Sequence, residues 1–224
     1  GQGIAQAVGM ALAESHLRAI YPDGDKLINH YTYCLTGDGC LEEGISQEAI
    51  SFAGTMKLNR LILLYDRNDC TLDGPLSNSS NEDVLERFKA EGWNTLEVDD
   101  GNDIDKIDEA ITLAKTAKEK PTIILCHTVI GYGSPLAGSH ESHGKAFSPK
   151  DVVKTKENLG YSFPPFDVPA EAYLAFQETL EVRAKKAKEA YEASVAEYRK
   201  SHEEAYEQFV SFSENDITPY LFKG

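Results

Sequence analysis

Two rhythms alternate along the first 130 or so positions of the chain. Short runs of aromatic, aliphatic and β-branched residues at 31–36, 61–65, 95–98 and 122–126 predict strands. Between them, positions 4–19, 41–56, 82–91 and 103–118 carry apolar residues every three or four positions, which predicts helices. In 41–56 the apolar set is Leu41, Ile45, Ala49, Ile50 and Ala53; in 103–118 it is Ile104, Ile107, Ile111 and Ala114, a face suited to packing on a sheet. The run Leu61-Ile62-Leu63-Leu64-Tyr65 is too continuously apolar for a strand with one face in water, and 31–36 reads as buried too. Strand and helix in alternation predict an α/β chain: a doubly wound, mainly parallel sheet with helices on both faces.

After Tyr161-Ser162-Phe163-Pro164-Pro165 the pattern changes. Extended, proline-containing chain leads into a Lys/Glu/Ala-rich helical run from Glu171 to about Val210. Tyr191, Val195, Tyr198, His202, Tyr206 and Phe209 recur along it at helical spacing. They predict an amphipathic C-terminal helical arm lying on the parent module, since the stripe is too short and aromatic for a coiled coil. The expected organisation is an α/β module over 1–165 and a helical extension over 166–224.

The chemistry-bearing feature is the turn Thr36-Gly37-Asp38-Gly39-Cys40, which closes the first strand. Its glycines permit a tight turn and close backbone approach to a phosphate, and a following helix would point free N–H groups at an anion. Taken alone, Gly-Asp-Gly equally fits an ordinary strand-to-helix turn with Asp38 as N-cap. The second strand adds Asn68, thirty positions on, in Leu64-Tyr65-Asp66-Arg67-Asn68. Parallel strands joined by a helix put Asp38 and Asn68 beyond the same carboxyl edge, where open α/β sheets bind ligands. A charged and a neutral oxygen there suit Mg2+ bridging a diphosphate.

Gly-Asp-Gly, about thirty residues, then Asn resembles the thiamine diphosphate fingerprint, and its surroundings resemble the transketolase family. Gly1-Gln2-Gly3-Ile4-Ala5-Gln6-Ala7-Val8-Gly9-Met10-Ala11, His30-Tyr31-Thr32-Tyr33, Gly39-Cys40-Leu41-Glu42-Glu43-Gly44-Ile45-Ser46-Gln47-Glu48, Leu72-Asp73-Gly74 and Ile130-Gly131-Tyr132-Gly133-Ser134-Pro135 carry the likeness over about residues 1–170. The resemblance implies the thiamine diphosphate-binding fold. It implies Asp38, the Asn68 side chain and the Cys70 carbonyl as Mg2+ ligands, with Ca2+ as a substitute. It also implies Gly37 and Gly39 at the diphosphate, Leu72 against the cofactor rings, and His140 reaching diphosphate and substrate. Glu43 and Glu48 match carboxylates of a network linking two cofactor sites in a homodimer. Cys70 departs from the family's usual isoleucine, at little cost if only its main-chain oxygen is used.

The implied activity is transfer of a two-carbon ketol unit from a ketose phosphate to an aldose phosphate, in the pentose phosphate pathway and in the cytoplasm. The family's pyrimidine-binding module, supplied by the second subunit, is not in the sequence, nor is the upstream substrate-contacting segment. The chain therefore reads as the diphosphate-binding half of a longer enzyme, inactive alone. Three alternatives stay open: a subunit of a split transketolase, a related dihydroxyacetone or deoxyxylulose-phosphate synthase, and a non-catalytic α/β binding module.

Some residues have plainer readings. Acidic residues at 42, 43 and 48 also complement a helix dipole. His140 and His143, in Gly138-Ser139-His140-Glu141-Ser142-His143-Gly144, read as a polar phosphate-facing loop or an exposed one, with no second ligand cluster to suggest zinc. His16, His30, His127 and His202 read as structural. The loop 72–81, directly after the proposed ligands, reads as cofactor-facing. The formal charge of −15 argues against nucleic acid as a partner, and no run reaches the length of a membrane span. Cys34, Cys40, Cys70 and Cys126, without Cys-x-x-Cys spacing, read as small apolar residues in a reducing compartment.

Overall fold

The computed structural model describes residues 1–214. Four parallel strands form one sheet: β1 (Thr32–Gly37), β2 (Leu61–Arg67), β3 (Asn94–Val98) and β4 (Thr122–His127), in the order β1-β2-β4-β3. Helices α1 (Gln2–Ile20), α2 (Asp38–Leu41), α3 (Gly44–Thr55), α4 (Val84–Ala90) and α5 (Ile104–Ala114) alternate with them. The strand register pairs Thr36 with Tyr65 and Gly37 with Asp66, then Asp66 with Cys126.

Alternate residues of each strand serve opposite faces, as strand geometry requires. Leu61, Leu63 and Tyr65 of β2, with Ile123 and Leu125 of β4, join Ile4, Ile50, Phe88 and Trp93 in one apolar cluster. Ile62, Ile124 and Cys126 point the other way, to Val98, Ala110 and Ala114. The sheet is thus sandwiched between helical layers, and β2 and β4 are buried on both faces. Trp93 is fixed inside the larger cluster by its indole N–H, which donates to the Ile50 carbonyl at 2.9 Å, and by an edge-on contact with Phe88. At Gly54 a Cβ would lie 1.8 Å from the Glu91 carbonyl oxygen, so glycine is what lets α3 approach the end of α4.

Three local expectations change. Strand β1 is not buried throughout: Thr32, Cys34 and Thr36 face the core, but Tyr33 and Leu35, on the opposite face, are 46% and 79% exposed, since α5 on that side packs over β3 and β4. In α5 the stripe that packs is Ile107, Ala110, Ile111 and Ala114, while Ile104 in the first turn stays in solvent. The helix expected over 41–56 is two helices, α2 and α3, separated at Glu42 and Glu43. There Glu43 is extended (φ −75°, ψ 138°), and the side chains of Ser46 and Gln47 donate back to the carbonyls of Cys40 and Leu41. Those side-chain bonds satisfy carbonyls at the end of α2 that a continuous helix would satisfy from its own backbone.

The chain divides into two compact units, one of Gly1–Ala13 with His30–Ser162, the other of Glu14–Asn29 with Phe163–Gly224. In the second, α6 (Ala170–Gln177) runs through a π-helical segment, Glu178–Ala184, into α7 (Lys185–Ser201), and α8 (Glu203–Ser213) follows a break at His202 (φ −141°, ψ 56°). Tyr198 is fully buried with Tyr21 and Leu27, and Val195, Tyr206 and Phe209 pack around them, whereas Tyr191 is exposed. The aromatic stripe therefore serves two helices rather than one straight seam. The expected extension to residue 224 includes 215–224, which lie outside the described residues. Among the described residues no helix is long and apolar enough to cross a membrane.

Candidate active site

All four strands run the same way, so the segments that follow β1, β2 and β4 emerge at one edge of the sheet. Gly37 ends β1 in extended conformation and is the N-cap of α2; Asp38 is the first helical residue, not the cap. Its side chain turns instead toward β2. The Asp38 carboxylate is buried and held at both oxygens: the Tyr65 hydroxyl donates to Oδ1, and the Asn68 backbone N–H donates to Oδ2 at 3.2 Å. The Asn68 Oδ1 atom accepts from the Cys70 N–H at 3.2 Å. Asp38, Asn68 and Cys70 thus form one hydrogen-bonded turn across the two strands.

Burial pushes the Asp38 carboxyl above its usual range, against the Tyr65 and Asn68 hydrogen bonds that favour the ionised form. Burial and the adjoining Asp38 push the Tyr65 phenol far above its ordinary value, so its hydroxyl stays a donor. Burial likewise raises the Cys34, Cys70 and Cys126 thiols, which lie in the protein interior as small apolar groups, with Cys40 half-buried.

Sequence reasoning missed Tyr65, Arg67 and Asp69. Asp69 sits in the left-handed region (φ 58°), and the Arg67 Nε–H donates to its carboxylate at 3.0 Å. The signal for Asp69 was available, since a non-glycine residue tolerant of left-handed backbone lies between two proposed ligands. A cavity of about 360 Å³ adjoins this turn, bordered by Asp38, Tyr65, Arg67, Leu76 and Glu82.

The other expected site residues stand apart from this buried turn. Leu72 is exposed, and the space a Cβ would fill at Gly144 lies 3.6 Å from its side chain. The Cys70 thiol reaches the Gly138 carbonyl at 3.9 Å, so the 138–144 loop comes alongside the Asp38–Asn68–Cys70 turn. His140 lies in that loop, exposed, in a short 3-10 turn capped by Ser139. Glu43 is 56% exposed and paired with the Gly1 amino group at 2.7 Å; Glu48 lies exposed on α3. Gly39 has open space where a Cβ would be, and Gly37 meets only the Asp66 carbonyl oxygen, at 3.9 Å.

The donor set tests the fit of a metal. Asp38 offers a carboxylate, Asn68 an amide oxygen and Cys70 a carbonyl, all hard oxygen donors matched to Mg2+ or Ca2+ rather than to zinc. Among the described residues no three His, Cys, Asp or Glu side chains gather as a metal cluster. That is compatible with this set, in which only one ligand is an ionisable side chain.

A family model described as the transketolase thiamine diphosphate binding domain matches residues 1–217. A transketolase of Streptococcus pyogenes is 45% identical over 91% of this chain and 28% of its own length; one of Geobacillus stearothermophilus is 46% identical, over 91% and 31%. Among solved structures, transketolase from Leishmania mexicana superposes with a TM-score of 0.90 at 36% identity, covering 94% of this chain and 32% of that one. The chain therefore spans under a third of the length of these relatives. With the family model matching nearly end to end, and relatives this close in sequence and in fold, the chain belongs to the transketolase family, as its thiamine diphosphate-binding domain.

Proposed function

We propose that this chain holds magnesium thiamine diphosphate by its diphosphate end, and that the protein it serves transfers two-carbon ketol units between sugar phosphates. Asp38, the Asn68 side-chain oxygen and the Cys70 carbonyl hold the metal; Gly37 and Gly39 let the backbone come close to the diphosphate. Leu72 packs against the cofactor rings, and His140 donates toward diphosphate and substrate. Glu43 and Glu48 belong to a carboxylate network that runs to the second cofactor site of a homodimer. The pyrimidine-binding module of the second subunit completes the pocket, and the enzyme works in the cytoplasm within the pentose phosphate pathway.

Bound thiamine diphosphate supplies the carbon chemistry of ketol transfer, while the protein binds, orients and excludes water. What the chain would contribute is an oxygen ligand whose carboxylate is held by Tyr65 and Asn68 before binding. Asp38 is already desolvated and hydrogen-bonded, so little reorganisation is needed on binding. Ketol transfer itself belongs to the whole protein, and the chain alone is inactive in it.

The observation that carries this reading is the Asp38–Asn68 contact across β1 and β2, in a chain matching the thiamine diphosphate binding domain. Calorimetric titration with thiamine diphosphate in saturating Mg2+ tests it. Binding should be lost on chelating the metal and should fall at least about 100-fold in Asp38→Ala, the upper range for perturbing a metal's supporting shell. Unchanged affinity in Asp38→Ala would overturn the ligand assignment.

A further inference from the structure

Tyr65 is 1% exposed, on β2 directly opposite Thr36, and its ring belongs to the larger apolar cluster of the sheet. Its hydroxyl is the polar end of that ring, and it is spent on one atom, Asp38 Oδ1. The opposite oxygen, Oδ2, takes the Asn68 N–H. An ionised carboxylate has about four lone-pair positions, so two bonds, one to each oxygen, leave it able to bind a cation. What they remove is rotation: with each oxygen tied to a different donor, the carboxylate plane is fixed before any cation arrives.

We infer that Tyr65 is a positioning residue, which locks the Asp38 carboxylate from the core side and so tunes the metal subsite to Mg2+ over Ca2+. The inference rests on the metal reading proposed above. Mg2+ requires near-octahedral ligands at about 2.0–2.1 Å, whereas Ca2+ accepts six to eight oxygens at about 2.3–2.6 Å in adaptable arrangements. A carboxylate freed to swing therefore harms Mg2+ binding more than Ca2+ binding. A residue that only filled the core would weaken both cations alike, through the fold.

Tyr65→Phe keeps the ring and deletes the hydroxyl. Mg2+ and Ca2+ are each titrated by calorimetry into the whole protein, as wild type and with Tyr65→Phe or Asp38→Ala, with thiamine diphosphate saturating. Tyr65→Phe should lose about tenfold in Mg2+ affinity, the usual scale for an outer-shell partner, and less in Ca2+ affinity, so that the ratio of the two falls. Mg2+ affinity equal to wild type, or an equal loss for both cations, overturns the role of Tyr65. If wild type binds and Asp38→Ala does not, the metal reading stands whichever way Tyr65→Phe falls. If wild type binds neither cation, the metal reading fails and takes this inference with it. Should Tyr65→Phe not fold, 3-fluorotyrosine placed at position 65 keeps the hydroxyl and reports directly. Its fluorine resonance should move on adding Mg2+ with thiamine diphosphate, and an unmoved resonance in a chain that binds the metal overturns the proposal.

Discussion

The two groups of candidate residues differ in what holds them. Asp38, Asn68 and Cys70 are tied to one another, and Asp38 to Tyr65, whose ring lies in the main apolar cluster. Glu43, Glu48 and His140 are exposed, on a helix and a loop at the surface. The first group is preorganised by burial and by hydrogen bonds that cross the sheet; the second has its side chains in water. In this fold, rigidity at a functional position is inherited from the core behind it, and groups without such backing take their final geometry from whatever they meet.

The comparison breaks at its strongest point if the core does not support the turn. Trp93→Ala removes a buried ring and the indole N–H that reaches the Ile50 carbonyl, and should cost about 3–5 kcal/mol in urea unfolding. A loss below about 1 kcal/mol would show that the interior readily collapses around the gap. A smaller test separates backbone from side chain in the turn that carries Asn68 and Cys70. Asp69→Ala places an ordinary side chain at φ 58° and should destabilise by about 1 kcal/mol, and Asp69→Gly should recover most of that. If glycine recovers nothing, the ion pair with Arg67 holds the turn and the backbone argument fails. The smallest effect belongs to the exposed group: Glu48→Gln should change stability by less than about 0.5 kcal/mol and leave the affinity for magnesium thiamine diphosphate unchanged. Its cost should appear in ketol transfer by the whole protein. Weaker cofactor binding by Glu48→Gln would mean that the two groups are coupled inside the chain.

Much of the layout was legible because the signals were local. The apolar runs that became β2 and β4 are buried on both faces, and their composition alone required this. Gly37, Asp38 and Asn68 could be placed at one edge because parallel topology leaves few other arrangements. What escaped was set by neighbours distant in sequence. Tyr33 and Leu35 look as apolar as Leu61 and Leu63, and only the placement of α5 over β3 and β4 leaves them exposed. The interruption at Glu42 and Glu43 depends on side chains of Ser46 and Gln47 turning back to Cys40 and Leu41, a preference that an apolar stripe does not record. Tyr65 read as one more large core residue. Its hydroxyl acquires meaning only once Asp38, 27 positions earlier, is seen to lie against it.

The pairing of Thr36 with Tyr65 and Gly37 with Asp66 also governs how the molecule is made. Parallel pairing across an intervening helix must wait for that connection to close, so it cannot precede the helix it encloses. A slip of one residue would turn Tyr65 to the opposite face and carry Asn68 away from Asp38. A chain caught in that slipped state would lack the Asp38–Asn68 contact on which the proposed cation site depends. On the metal assignment proposed above, cation binding during refolding would therefore report on register: it should appear only once β1 and β2 have found their true alignment, and not with the earlier gain of helix.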